Sequence, residues 1–277
     1  MKTAFRYFIE LFNIVAILRS LFSRRELIRT LTLRDFKARY RGSFGGVLWS
    51  IVQPLIMMII YTVVFSGFLK VQFEDSDSPF TFAVFLLCGL LPWSAFAEGM
   101  SGSTALIRGN VNLVKRVVFP LEVLPLSLAL VALLQQAIGF SLLFPVAWIM
   151  SGELSWSLIY VPFIFILQIL LYTGVNWIWS SLSVYLPDLR QITTLLLSML
   201  MFLTPIFYPV EVMPTWAQET LAQSPLSLII DMYRKAFLTG ETISAWEYTQ
   251  AGLWCLLIFL IGHFWFIHTK KGFPDVI

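Results

Sequence analysis

Residues 33–43 read Leu33-Arg34-Asp35-Phe36-Lys37-Ala38-Arg39-Tyr40-Arg41-Gly42-Ser43, and the chain then enters a long apolar segment over 46–69. A dense cationic flank beside roughly 20 apolar residues is the pattern of a helix that crosses a bilayer. Lys and Arg are retained on the cytoplasmic side, so the flank is expected to face the cytoplasm and the chain to cross outward.

The whole composition agrees. Of the 277 residues 58% are hydrophobic and 13% charged, where a soluble domain carries roughly a quarter charged residues. So much apolar surface cannot be hidden in one aqueous core, and the expected class is an all-α integral membrane protein. The basic residues hug the membrane boundary rather than forming a solvated arm, which argues against nucleic acid as a partner. Cys88 and Cys255 fall inside apolar segments and read as small apolar residues, without metal-site spacing. Residues 1–23 are interrupted by Glu10, Asn13 and Arg19 and lack a small-x-small cleavage site. They read as an amphipathic interface helix with Phe5, Phe8, Ile9, Phe12, Val15 and Leu18 towards lipid, or alternatively as a cytoplasmic docking helix.

Six crossings are expected, over 46–69, 80–97, 121–150, 159–186, 192–207 and 251–267. An even number puts both termini on one side, the cytoplasmic one. The expected layout is a single domain over 1–277, with an interfacial region over 1–43 and the six-span bundle over 44–270. Of the 19 Lys and Arg residues, all but Lys70, Arg234 and Lys235 fall on the inner side, whereas acids such as Glu74, Asp77, Glu211 and Glu247 fall on the outer side.

Two connections stand out. Leu106, Leu113, Val114, Val117 and Val118 recur at helical spacing before Pro120, which suggests a short amphipathic helix on the cytoplasmic surface. An ordinary basic loop is the competing reading. Pro205, Pro209, Pro214 and Pro225 cannot share one continuous helix. Residues 208–237 therefore read as short helices dipping back from the outer surface, or as a simple loop.

The absent chemistry is informative. No Gly-rich phosphate loop of the Walker type occurs, so ATP hydrolysis is expected to reside elsewhere. No Ser/His/Asp grouping or pair of carboxylates suggests an active site, and His263 and His268 are the only histidines. The span centres are nearly free of ionisable groups, which ion-driven carriers place at mid-membrane. Aromatics are plentiful, with 10 Trp, 9 Tyr and 25 Phe. Deep aromatics and the amides Gln53, Gln135, Gln136 and Asn176 would suit a weakly charged glycan, although lipid contact or helix packing is the better account of any single ring.

The motif over 34–43, with Gly46-Val47-Leu48-Trp49 and Gln53-Pro54, resembles the permease subunits of polysaccharide ABC exporters. The resemblance extends to Gly89-Leu90-Leu91-Pro92-Trp93, Pro187-Asp188-Leu189-Arg190, the stretch from Thr204 to Pro209, and Ser224-Pro225-Leu226. In the last motif Ser224 stands where Asn is commoner. The resemblance implies an ABC-2 type half-transporter of the bacterial inner membrane. Two copies would enclose a channel for undecaprenyl-linked polysaccharide, above two ATPase subunits that hold the ATP and Mg2+. No cofactor or metal is expected on this chain.

The same resemblance casts Arg108, Asn110, Asn112, Lys115 and Arg116 as the contact with the ATPase. Arg34, Lys37, Arg39 and Arg41 would steer the lipid pyrophosphate at the inner channel mouth, or else hold topology and anionic membrane lipid. Trp49, Tyr61, Phe65, Phe202, Phe207 and Tyr208 are the expected channel and gate aromatics. An exporter of a small lipid or drug, an ion-coupled carrier and a membrane-embedded transferase are the alternative functions.

Overall fold

The computed structural model describes residues 14–68, 81–115, 119–151 and 156–277, and every regular element among these is helical. The expected lipid contacts at Phe5, Phe8, Ile9 and Phe12 lie outside the described residues. Two helices open the described chain, α1 (Ile14–Ser23) and α2 (Arg25–Arg39). Helix α1 buries Ile17 and Leu21 and leaves Val15, Leu18 and Phe22 exposed, so its apolar residues serve two surfaces. Gly42 and Gly46, at φ 85° and 50°, then turn the chain into the first apolar helix. These left-handed values are costly for any residue with a Cβ.

The expected crossings appear as α3 (Trp49–Tyr61, extended by a π turn over Thr62–Phe68), α4 (Thr81–Leu106), α6 (Val123–Ser151), α7 (Val161–Tyr185), α8 (Leu189–Leu203) and α11 (Ala245–Thr269). Between α4 and α6 lies the four-residue α5 (Val111–Val114), and between α8 and α11 lie α9 (Thr215–Thr220) and α10 (Pro225–Arg234). A last turn, α12, covers Phe273–Val276. Among the described residues, five helices are long and apolar enough to cross a membrane. Helix α8 differs. Its 15 residues rise about 22 Å, short of a hydrocarbon core of about 30 Å. The chain leaves the helix at Thr204, where ψ is 137°, just before Pro205. The expected fifth crossing is therefore a short helix continued by non-helical chain.

Helix α4 is the central post. Every residue from Phe82 to Leu90 is buried, because α6, α7 and α10 surround it. This is why its apolar residues show no one-sided pattern. Helix α3 is the opposite case: among its residues only Ser50 is buried. Helices α7 and α11 approach to backbone contact. A Cβ on Gly262 would lie 2.2 Å from the carbonyl oxygen of Gly174, and one on Gly174 would lie 2.6 Å from that of Ile258. Small residues at such crossings let helices close up where lipid supplies no hydrophobic drive.

Polar side chains satisfy one another inside the bundle. The Tyr233 hydroxyl of α10 donates to Gln168 Oε1 at 2.6 Å, Gln136 Nε2 donates to the same oxygen at 2.9 Å, and the Tyr172 hydroxyl donates to the Pro92 carbonyl at 2.8 Å. Helix α10 is thus bonded into α6 and α7, and α7 into α4. Ser224 caps α10, its hydroxyl accepting from the Ser227 amide at 3.3 Å, which is the work a commoner Asn would also do. At the other end of α10, Arg234 is only 7% exposed; its Nη2 donates to the Ile206 carbonyl at 2.9 Å and its guanidinium lies 3.6 Å from the Phe85 ring centroid. The broken segment after α8 is therefore packed on protein, the condition under which irregular backbone survives at membrane depth.

At the opposite end of the bundle one carboxylate holds three segments. Glu122, just before α6, accepts from Arg24 at the α1–α2 joint and from Lys270 Nζ at 3.0 Å after α11. The Trp177 indole donates to the Glu122 carbonyl at 3.0 Å. Burial pushes the Glu122 carboxyl up, but Lys270, the local backbone and Arg24 together hold it below the usual carboxylate range. Its folded value is below the unfolded one, so the stabilisation is complete only above the unfolded value of 4.5 and is lost as pH falls through the lowered value.

Gly262→Val should therefore wedge α7 from α11 and lower stability by about 1–3 kcal/mol or more, read as a drop in the thermal unfolding midpoint of the purified protein. Glu122→Gln should cost about 1–2 kcal/mol, discounted for the partly exposed cations. That variant should also show a smaller fall in unfolding temperature on acidification than the native protein.

Candidate functional site

A polar concavity lies between α3, α4 and α6. An outer groove of about 440 Å³, lined by Arg39, Tyr40, Gln53, Glu98, Ser101 and Gln135, adjoins an inner pocket of about 130 Å³. Gln53, Glu98 and Gln135 belong to both, and the inner part adds Tyr61, Ser94 and Gln136 over an apolar floor. Gln136 also belongs to the buried amide and tyrosine network, so the cavity wall is continuous with the bonds that fix α10.

The cavity has one ion pair. Arg39, the last residue of α2, pairs with Glu98 on α4 and donates to Gln135 Oε1 on α6 at 3.0 Å. Three segments far apart in sequence thereby meet at the cavity mouth. The pair is about a third exposed, so water or a ligand can compete for both groups. One wall is the sparsely covered α3, which brings Gln53 to a helix otherwise almost wholly apolar. An amide, an ion pair and a second amide facing open space suit a polar, weakly charged ligand better than an ion held by full charges.

Of the four basic residues expected at a channel mouth, Arg39 alone lines this cavity. Arg34 donates to its neighbour Asp35 at 2.8 Å, and Lys37 and Arg41 are exposed nearby. Among the aromatics, Tyr61 lines the inner pocket, whereas Trp49 is exposed one turn from Gln53. Phe202 and Phe207 pair with ring centroids 6.1 Å apart at the end of α8, and Tyr208 donates its hydroxyl to the Phe202 carbonyl. They form a separate aromatic group beyond the cavity lining. The Phe65 side chain lies outside what the structure describes. Asn176 is buried away from the cavity, its amide 3.3 Å from the Pro125 carbonyl.

The amphipathic segment after α4 forms as a short turn over Arg108–Asn110 followed by α5. Ile107 and Val114 point into the bundle, while Asn112 and Lys115 are exposed. Arg108 donates to the Val184 carbonyl at 2.9 Å and Asn110 to the Leu106 carbonyl at 2.8 Å, so these two brace the turn. Arg116 lies outside the described residues. Sequence reading missed the Arg39–Glu98 pair; the available signal was Glu98, the sole acid in an otherwise apolar span. Among the described residues no group of His, Cys, Asp and Glu is placed to hold a metal.

Apolar helices of bilayer length, a broken segment of short helices after α8, a basic exposed turn and a half-open polar cavity fit the membrane part of a transporter. The profile of the ABC-2 type transporter family matches residues 26–238, so the chain belongs to that family. It is similar to the O-antigen export system permease protein RfbA of Klebsiella pneumoniae, at 29% identity over 91% of this chain and 95% of the relative. A second Klebsiella pneumoniae protein of that name is 31% identical over 78% of this chain and 81% of its own length. The polysialic acid transport protein KpsM of Escherichia coli is 25% identical over 85% and 90% respectively. The chain is thus a multi-pass membrane permease of the ABC-2 class.

A double-mutant cycle on Arg39→Ala and Glu98→Ala should give a coupling of about 1 kcal/mol, read from unfolding midpoints of the purified single and double variants.

Proposed function

We propose that this permease moves a lipid-linked polysaccharide of the O-antigen or capsule type outward across the bacterial inner membrane. The observation that carries the reading is the half-open polar cavity of Gln53, Glu98, Gln135 and Arg39 against the uncovered α3. Polar groups at membrane depth need a protein or aqueous surround. A second copy, applied along α3 and the exposed apolar residues Ile192, Leu195 and Met199 of α8, would convert two open grooves into one enclosed conduit. Names of the relatives, O-antigen export permeases and a polysialic acid transport protein, support a glycan as the cargo.

In this reading the basic end faces the cytoplasm, as do both termini. Arg39 meets the lipid pyrophosphate at the mouth, and the amides and Tyr61 follow the sugar chain. Glu98 holds the guanidinium in place until the phosphate competes for it. Exposed Asn112 and Lys115 are the surface offered to a separate ATPase subunit carrying ATP and Mg2+. ATP binding there would shift the permease between closed and open states through its differential affinity for them. The buried amide network would pass that change to α10 and the Phe202–Phe207–Tyr208 group, acting as the outer gate.

The test is complementation of a strain lacking its export permease. Arg39→Glu should reduce surface polysaccharide at least about tenfold, the scale of a lost charge-assisted contact of 1.5–3 kcal/mol, with lipid-linked polymer accumulating inside. The ATPase should still co-purify. Asn112→Asp with Lys115→Glu should instead lose the ATPase while the permease remains in the membrane. Undiminished export by Arg39→Glu would refute the cavity as the route.

A further inference from the structure

A second concavity lies on the other side of the bundle, between α1–α2 and the faces of α6, α7 and α11. It measures about 1040 Å³ and is lined by Leu126, Leu130, Leu134, Ile169 and Phe259 below the two N-terminal helices. Leu126 to Leu134 spans two turns of α6, about 12 Å of rise, close to the roughly 15 Å of hydrocarbon in one leaflet. Only one set of charged residues contributes to the lining: Arg19, Arg25 and Arg29. All three are exposed.

These arginines are not used up within the protein. Arg19 and Arg29 meet no carboxylate among the described residues. Arg25 lies over the Phe22 ring at 4.8 Å and only 3.9 Å from Glu26, a long contact between exposed groups. By contrast Arg24, on the same joint, is fully committed to Glu122. The joint thus divides its cations: one clamps the helices to the bundle and three surround an apolar cleft that has no acid in its lining. An apolar shaft under a cationic rim complements an anionic amphiphile. Zwitterionic lipid would bring its own cation to the same three arginines.

We propose that this cleft is a binding site for one anionic glycerophospholipid of the surrounding bilayer. Its acyl chain fills the space along Leu126–Leu134 and its phosphate is held by Arg19, Arg25 and Arg29. The lipid completes the seat of α1–α2 on the bundle, on the side away from the glycan cavity. The site is independent of the proposed cargo.

The test uses the full-length permease, with its ATPase where that co-purifies, in phosphatidylcholine nanodiscs. These are doped with a minor fraction of phosphatidylglycerol, or of phosphatidylcholine, bearing a diazirine on the acyl chain. After irradiation, adducts are mapped by peptide mass spectrometry. Phosphatidylglycerol should label the α6 and α7 walls about tenfold more than phosphatidylcholine, given attraction by three surface cations. R19Q/R25Q/R29Q should bring the two lipids level, and R19K/R25K/R29K should restore most of the difference. Leu130→Trp, which fills the cleft and leaves the charges, should reduce both labels in protein that still elutes as a folded species. Equal labelling by the two lipids in the native protein overturns the proposal, as does a preference that survives R19Q/R25Q/R29Q. Displacement of the label by stoichiometric undecaprenyl phosphate would reassign the cleft to the cargo lipid. Labelling that appears only after removal of residues 2–12 would make the chain's own N-terminus the occupant.

Discussion

A bilayer offers no water to a buried polar group, and the architecture of this permease is organised around that shortage. Key polar side chains that folding brings into the bundle are met by groups from other segments. Glu122 gathers Arg24 and Lys270; Gln136, Gln168, Tyr172 and Tyr233 bond to one another and, through Tyr172, to the Pro92 carbonyl; Arg234 takes the Ile206 carbonyl that the break at Pro205 sets free. These bonds are directional, unlike the apolar contacts around them. They fix which helix faces which in a bundle whose apolar surfaces would tolerate several packings.

Against that background the cavity of Arg39, Glu98, Gln53 and Gln135 is the exception, because its polar groups face space rather than each other alone. Under the proposed function, the contrast separates structural polarity from functional polarity. The Glu122 carboxylate is enclosed, though its cations are partly exposed, and it is held below its ordinary range, a group kept charged to bind segments together. The Arg39–Glu98 pair is half open and can trade partners. The proposed function would use both kinds: fixed joints that keep α10 registered on the bundle, and an exchangeable lining along the proposed route.

Much of the fold was legible because membrane spans are written locally. Apolar runs of bilayer length, bounded by Arg, Pro and Gly, located α3, α4, α6, α7 and α11 within a few residues, with α4 running on to Leu106. Prolines at 205, 209, 214 and 225 likewise foretold the broken segment around α9 and α10. The pairings were not legible. Arg24 and Lys270 stand 98 and 148 residues from Glu122, and Arg39 stands 96 from Gln135, so no local period could join them. Arg234 reads in sequence as a loop cation on the acidic side; its burial follows from a carbonyl freed elsewhere by a proline. Arg34, Lys37 and Arg41 look equivalent to Arg39 in the basic flank, but helix α2 ends so that Arg39 alone turns into the cavity.

The central claim is that this chain is a conduit whose work comes from a separate ATPase. Its direct test is transfer of lipid-linked glycan in proteoliposomes containing the permease with or without its ATPase, and with or without ATP and Mg2+. The account predicts transfer only when the ATPase is present and hydrolysing. Uphill glycan transfer by the permease alone, driven by an ion gradient without nucleotide, would contradict it.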